Sequence, residues 1–537
     1  MSEQGDSKKQ ATIIVETKPK GLLRSSAIVS VFTMLSRVLG LLRDIAFATF
    51  IGAAGNADAF FIAFKVPNFL RRLFSEGAFS QAFVPVLSEY KTQRDHLTVK
   101  ALIDRVAGVL GGSLIVVTGL AVMAAPVLVY VVAPGFSGQP EKMELTASLI
   151  RITFPYLFFI SLTGFAGAML NSFGRFAVPA VTPVLLNLSL IAAAVCYAPT
   201  MAEPTYALAW GVFVAGLAQL LFQLPALYRV DLVPKPKWDL KDSGVRRILK
   251  LMVPALFGVS VSQINLLLDT VLASFLPTGS VSWLYFSDRL SELPLGVFAI
   301  AVSTVILPSL SRDVAGDDGN KFSQTMDWAI RMVSMIALPA AVALIVLAEP
   351  ILMALFQYGE MTSRDISMSA LSLRAYAAGL LAFMLIKVLA PGYYSRQDTK
   401  TPVKIGIIAM VANMVLNFAL VLPLHHFWQV GHVGLALATA SAAWLNAILL
   451  WRGLVSTGVY QAASGQLVQM AKLLVAALIM GAALVWLGQF SVDMLSQHWW
   501  QRGLSLLGLC GVGAIIYFGI LAISGFRPAD FKPANNG

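Results

Sequence analysis

The chain has 537 residues, 57% of them hydrophobic and only 12% charged, with a formal net charge of +11. A mean hydropathy of +0.75 excludes an ordinary soluble globule and points to a polytopic membrane protein. The positive balance is not a nucleic-acid signal, because the basic residues cluster in alternate loops as membrane topology requires.

Residues 1–25 are polar and lysine-bearing without an apolar core, which predicts a cytoplasmic tail and not a cleaved signal peptide. Apolar spans then predict about fourteen transmembrane helices, near 26–50, 57–88, 104–133, 146–172, 178–198, 204–228, 247–276, 281–309, 327–356, 367–393, 403–424, 431–452, 469–489 and 503–525. With the first tail inside, the basic stretches 91–105, 229–250, 312–331 and 396–404 also fall inside, and the even helix number puts both termini there.

The first two helices break the apolar pattern. Residues 36–81 carry Arg37, Arg43, Asp44, Asp58, Lys65, Arg71, Arg72 and Glu76, which are costly at membrane depth unless they line a wet cavity. In helical register Asp58, Lys65, Asn68, Arg72 and Glu76 form one stripe with Arg71 beside it, and Arg37 and Asp44 share a face of the preceding helix. Internal ion pairs are one reading. The other is a cationic pocket for an anionic ligand, favoured because arginines outnumber nearby carboxylates and suit phosphate geometry.

An internal repeat supports the pocket. SQAFVPVLSE (80–89) matches STVILPSLSR (303–312), and SFGRFAVP (172–179) matches SRQDTKTP (395–402), at the same offset of about 223 residues. That offset sets Asp288, Arg289 and Glu292 of the eighth helix against Lys65, Val66 and Phe69 of the second, so charge recurs in corresponding regions. The predicted architecture is all-α: two six-helix lobes around a central cavity, plus two C-terminal helices. The divisions are a tail over 1–25, an N-lobe over 26–228, a linker over 229–246, a C-lobe over 247–453, the last two helices within 454–526 and a tail over 527–537.

A second candidate site lies in the C-lobe. Asp269 sits mid-span in the seventh helix, and Asn413 and Asn417, one turn apart on the eleventh, share a face. Oxygen ligands of this kind suit a hard cation, a lone Asp can carry H⁺, and an interhelical Asp–Asn hydrogen bond is the plain alternative. Enzyme chemistry finds no support. There is no GxxxxGK[ST] loop, HExxH or GxSxG motif, and Cys196 and Cys510 lie in apolar runs without metal-ligand spacing.

The stretches SRVLGLLRD (36–44), NADAFFIAFKVPNFLRRLFSEGAFSQAFVP (56–85), GSVSWLYFSDRLSELPLGV (279–297) and KVLAPGYYSRQDTKTPVK (387–404) resemble the MurJ (MviN) family of lipid II flippases. That family belongs to the multidrug/oligosaccharidyl-lipid/polysaccharide exporter superfamily, and the resemblance covers almost the whole chain after the first 20 or so residues. It implies that Arg37, Arg43, Arg71 and Arg289 are cavity arginines required for function, with Asp58 and Glu292 as polar cavity residues. With Lys65, Asn68, Arg72 and Asp288 they make the expected substrate-binding set. It further implies a groove for the undecaprenyl tail in the last two helices. Sodium bound by some members between the seventh and eleventh helices falls on Asp269, Asn413 and Asn417.

The resemblance implies a monomeric, non-enzymatic carrier of the bacterial inner membrane without a cofactor. It would move lipid II to the periplasmic leaflet by alternating access, with Na⁺, H⁺ or the membrane potential as the drive. Lipid II, membrane lipids and the cell-wall synthesis machinery are the expected partners, and nucleic acid is not. An exporter of another lipid-linked oligosaccharide, or of drugs, would share this architecture.

Overall fold

The computed structural model describes residues 19–316, 318–488 and 497–526; most of the predicted N-terminal tail and all of the C-terminal one lie outside them, as does the side chain of Glu76. Among the described residues every regular element is helical. Helix α1 is Pro19–Ile51. Helix α2 runs through Gly55–Leu70, a π-helical stretch Arg71–Phe79, and Ser80–Gln93. Next come α3 (His96–Met123), α4 (Pro140–Thr153 continued by Tyr156–Ser172), α5 (Ala177–Ala192) and α6 (Pro204–Arg229).

The second half repeats the series. Helix α7 is Ser243–Ser274, and α8 runs through Ser280–Pro294, a π-helical stretch Leu295–Ala299, and Ile300–Ala315. Helices α9 (Gly319–Val346), α10 (Ser363–Tyr394), α11 (Lys400–Trp428) and α12 (Gly431–Ser456) complete it. Helices α13 (Gln466–Gly488) and α14 (Trp499–Ile523) stand outside the repeat.

A helix thus stands at every predicted segment, since apolar runs of this length satisfy their backbone groups internally. Ten helices among the described residues are long and apolar enough to cross a membrane. Helices α1, α2, α7 and α8 are not in that set, and they wall the central cavity. Three predicted spans are broken, the ninth at Leu347 before a short helix Ala348–Phe356. The third turns at Ala124 before a short helix Ala125–Val132 with a proline in its first turn, and the fourth bends at Phe154–Pro155, where proline supplies no backbone donor.

Neighbours recur six helices apart. In the N-lobe α1 lies on α5, α5 on α6 and α6 on α4; in the C-lobe α7 lies on α11, α11 on α12 and α12 on α10. The repeat offset also superposes Pro85 on Pro308 and the π-helical stretch of α2 on that of α8. Helix α13 joins the C-lobe through Leu473, Ala476, Ala477 and Met480, which share a core with Met335 of α9.

The predicted linker does not separate the lobes. The Asp104 carboxylate of α3 accepts the Lys235 amide at 2.8 Å, and the Asp104 carbonyl accepts that of Lys237 at 2.9 Å. Arg105 pairs with Asp242 at 2.7 Å, and Lys100 with Asp231 at 2.6 Å. The hydrogen bond from Lys100 holds the Asp231 carboxyl below the usual carboxylate range. Val245 and Ile248 share a core with Phe83, Leu102 and Leu227. Residues 229–246 are therefore a strap on the N-lobe, and the first turns of α7 pack with that lobe. The boundary expected at 247 falls inside α7.

One set of lobe-to-lobe hydrogen bonds lies at the opposite end from the strap. The Glu360 amide donates to the Thr49 carbonyl at 3.0 Å, and the Gly135 amide to Ser274 Oγ at 3.0 Å. Gly359 is required there, because it has φ +55° and an added Cβ would sit 2.1 Å from the Thr49 carbonyl oxygen.

Candidate functional site

Helices α1, α2, α7, α8, α10 and α12 enclose a cavity of about 350 Å³. Its N-lobe wall presents Arg43, Lys65, Asn68, Arg71 and Arg72, and its C-lobe wall presents Asp269, Asp288, Arg289, Glu292, Tyr285 and Tyr376. Phe61, Phe64, Phe69, Leu266 and Leu284 supply the apolar part of its lining. The helical stripe on α2 thus reaches the cavity at Lys65, Asn68 and Arg72, and the repeat brings Asp288, Arg289 and Glu292 opposite.

At the cavity apex two arginines share one carboxylate. Arg43 Nε and Nη2 donate to Asp44 Oδ1 at 3.0 and 2.7 Å, and Arg289 Nε donates to Asp44 Oδ2 at 2.9 Å. Tyr285 Oη donates to Asp44 Oδ1 at 2.7 Å. Asn187 of α5 accepts from Arg43 Nη1 at 3.1 Å and donates to the Ser36 carbonyl at 2.9 Å, tying the group to the α1 backbone. Arg289 Nη1 also reaches Glu292 at 3.2 Å. Arg43 and Asp44 are buried, 6% and 1% exposed, and this charge is held at depth by its pairing and hydrogen bonds.

Elsewhere the cavity charge is less engaged. Arg71 Nε donates to Asn68 Oδ1 at 3.3 Å. Lys65 and Arg72 make no hydrogen bond or ion pair among the described residues, and neither does the Asp288 carboxylate. Lys65 and Arg72 can be offered to phosphate oxygens without first breaking a hydrogen bond or ion pair among the described residues.

Four predicted residues are not on the cavity wall. Asp58 is buried at the latched end, where it accepts Gly279 N at 2.8 Å, Ser282 N at 3.0 Å, Ser282 Oγ at 2.7 Å and Lys142 Nζ at 3.0 Å. It belongs to a clasp between lobes and not to the pocket its helical stripe predicted. The stripe is right in azimuth, but at its first turn that face meets the start of α8. Arg37 lies against the π-helical stretch of α8: a Cβ added at Gly296 would stand 2.0 Å from its guanidinium. Asn413 and Asn417 lie behind the wall, at the α7–α11 seam.

That seam realises the plain Asp–Asn hydrogen bond and leaves an acceptor over. Asn417 Nδ2 donates to Asp269 Oδ1 at 2.8 Å and to Asn413 Oδ1 at 3.0 Å, while Asn413 Nδ2 donates to Thr439 Oγ1 at 3.4 Å. Asn417 Oδ1 is buried without a donor. A carboxylate, an orphaned amide oxygen and a hydroxyl fit a hard monovalent cation. No group of three His, Cys, Asp or Glu among the described residues could hold a transition metal.

Sequence reading assigned no site role to Asp44, Asn187, Tyr285, Tyr376, Thr439, Ser282 or Lys142. Only Asp44 carried a signal, as a charge beside Arg43 in an apolar helix. The others are ordinary residues until the helices pack.

An all-helical, two-lobe bundle around a charged intramembrane cavity defines a membrane transporter. Its fold matches an inward-facing multidrug resistance MATE family transporter of the MOP superfamily, with a TM-score of 0.64 at 16% identity over 81% of this chain and 98% of that one. A solved structure described as lipid II flippase MurJ in an inward closed conformation is nearer, with a TM-score of 0.77 and 27% identity over 93% and 98% of the two chains. The family model for lipid II flippase MurJ matches residues 47–504. A probable lipid II flippase MurJ of Vibrio cholerae is 50% identical over 96% of this chain and 99% of its own length. The lipid II flippase MurJ of Burkholderia cenocepacia is 42% identical over 95% and 99%. The chain belongs to the lipid II flippase MurJ family.

Proposed function

We propose that this chain is a lipid II flippase that carries the undecaprenyl-pyrophosphate-linked peptidoglycan precursor from the cytoplasmic to the periplasmic leaflet of a bacterial inner membrane. The observation that carries this reading is the cavity itself, in which Arg289, Arg71, Arg72 and Lys65 converge at membrane depth on a space between two lobes. A pyrophosphate and its sugars cannot cross about 30 Å of hydrocarbon unaided. Guanidinium groups replace the lost hydration of the phosphates with bidentate hydrogen bonds.

The end of the molecule carrying Asp58 is clasped, so loading takes place from the strap end, which the positive loops assign to the cytoplasm. Rocking of the lobes then breaks the Asp58 clasp and exposes the head group on the other side. The polyprenyl chain stays in lipid, along the exposed apolar faces of α13 and α14 that include Leu474, Leu478, Leu507 and Ile515. The carrier binds and releases its substrate without covalent change. A cation held by Asp269, Asn417 and Thr439 supplies a gradient-linked reset, and each charge moved through the membrane is worth about 2.3 kcal/mol per 100 mV.

The direct test is reconstitution of the full chain in liposomes with lipid II, following its accessibility on the far leaflet. Wild type transports, and Arg289→Ala abolishes transport while inserting normally, because Asp44 keeps Arg43 as its counter-ion. Wild-type rates from Arg289→Ala would remove the cavity from the mechanism.

A further inference from the structure

Counting donors separates the two apex arginines. A guanidinium has five N–H groups. Arg43 spends four, two on Asp44, one on Asn187 and one on Tyr285 Oη at 3.1 Å. Arg289 spends two, on Asp44 and Glu292, and keeps three. The two are linked through Asp44, so an incoming anion competes with that carboxylate for the same N–H groups. One phosphate can be met by the uncommitted groups of Arg289. Two adjacent phosphates held at the apex draw on Arg43 as well, and Arg43 can turn to them only if Asp44 keeps another donor.

The donor that stays is Tyr285. Its hydroxyl gives its hydrogen to Asp44 Oδ1 at 2.7 Å, and its ring is stacked on Phe61 of α2 with centroids 4.1 Å apart and planes 23° apart. Phe61 is buried, 3% exposed, so the ring has a fixed seat and the hydroxyl a fixed aim. It also joins α8 to α1 across the lobe boundary, at the apex and not at the clasp.

Resting on the reading of the cavity as an anion site, we propose that Tyr285 is a positioning residue for pyrophosphate. It keeps Asp44 hydrogen-bonded while Arg43 and Arg289 turn to the two phosphates, and so favours a pyrophosphate over a monophosphate head. Without the hydroxyl, Asp44 is one donor short. It then holds both guanidiniums more tightly and repels the entering anion more strongly.

The test uses the purified full chain in detergent with two probes, geranylgeranyl pyrophosphate and geranylgeranyl monophosphate. Tyr285→Phe should bind the pyrophosphate about tenfold more weakly and the monophosphate nearly as wild type does, with an unchanged melting temperature. In an Asp44→Asn background the same substitution should have no further effect, since the hydroxyl acts through that carboxylate. Equal loss for both probes, no loss, or a full additional loss in the Asp44→Asn background would overturn the proposal. A wild-type chain that binds neither probe would instead overturn the anion-site reading beneath it.

Discussion

Four donors converge on the Asp58 carboxylate, and one of them is the ammonium of Lys142, itself only 9% exposed and stacked 4.1 Å over the Phe136 ring. Removing the carboxylate leaves that ammonium buried and unpaired, which typically costs about 3–5 kcal/mol. Asp58→Ala is therefore expected to lower the melting temperature of the purified chain by several degrees, with Asp58→Asn affected less because an amide oxygen still accepts from Gly279 and Ser282. A melting temperature unchanged in Asp58→Ala would mean that the clasp contributes little to the closed end. The sequence told which faces of α1 and α2 carry charge, because helical azimuth follows from spacing alone. It did not tell which charges meet water and which meet protein. Lys65 and Asp58 lie on one stripe, yet one faces the cavity and the other the start of α8, and only the packing of a distant helix decides between them.

Among the elements, α7 has the most divided role: its first turns pack with the N-lobe and its later residues Leu266, Asp269 and Thr270 line the cavity. The strap over 229–246 fixes that division through the buried Asp104, whose carboxylate accepts a strap amide. Asp104→Ala leaves the Lys235 amide without its acceptor, a loss of about 1–3 kcal/mol if the amide stays buried. The expected outcome is faster limited proteolysis between 230 and 242; an unchanged cleavage rate would mean that the ion pairs of Lys100 and Arg105 hold the strap alone. Hydropathy located the helices well, since a span needs a long apolar run whatever surrounds it. It was blind to the π-helical stretches of α2 and α8, to the bend at Pro155 and to the strap. These depend on register and on polar backbone contacts, which a window average removes. Only Pro85 and Pro308, at equivalent places in the repeat, hinted that the two helices depart from regularity together.

At the scale of the whole molecule, the repeat was legible because its offset is the same at distant places, and the recurring helix neighbours follow from it. The cavity was legible as an excess of charge in α1, α2 and α8. The uncharged partners at its apex were not, since Tyr285 and Asn187 come from different lobes and carry no charge. The α7–α11 seam gives a further expectation. If Asp269, Asn417 and Thr439 hold a cation that resets the carrier, Asp269→Asn should make transport in liposomes insensitive to an imposed Na⁺ gradient while leaving single-turnover lipid binding intact; retained gradient dependence would place coupling elsewhere.

The central claim, that the charged cavity moves lipid II across the membrane, is tested most directly by measuring lipid II on the outer face of the inner membrane in cells depleted of their own flippase and supplied with this chain. Wild type should restore outer-face lipid II and Arg43→Ala should not, although both insert. Restoration by Arg43→Ala to the wild-type level, or no restoration by wild type, would contradict the account.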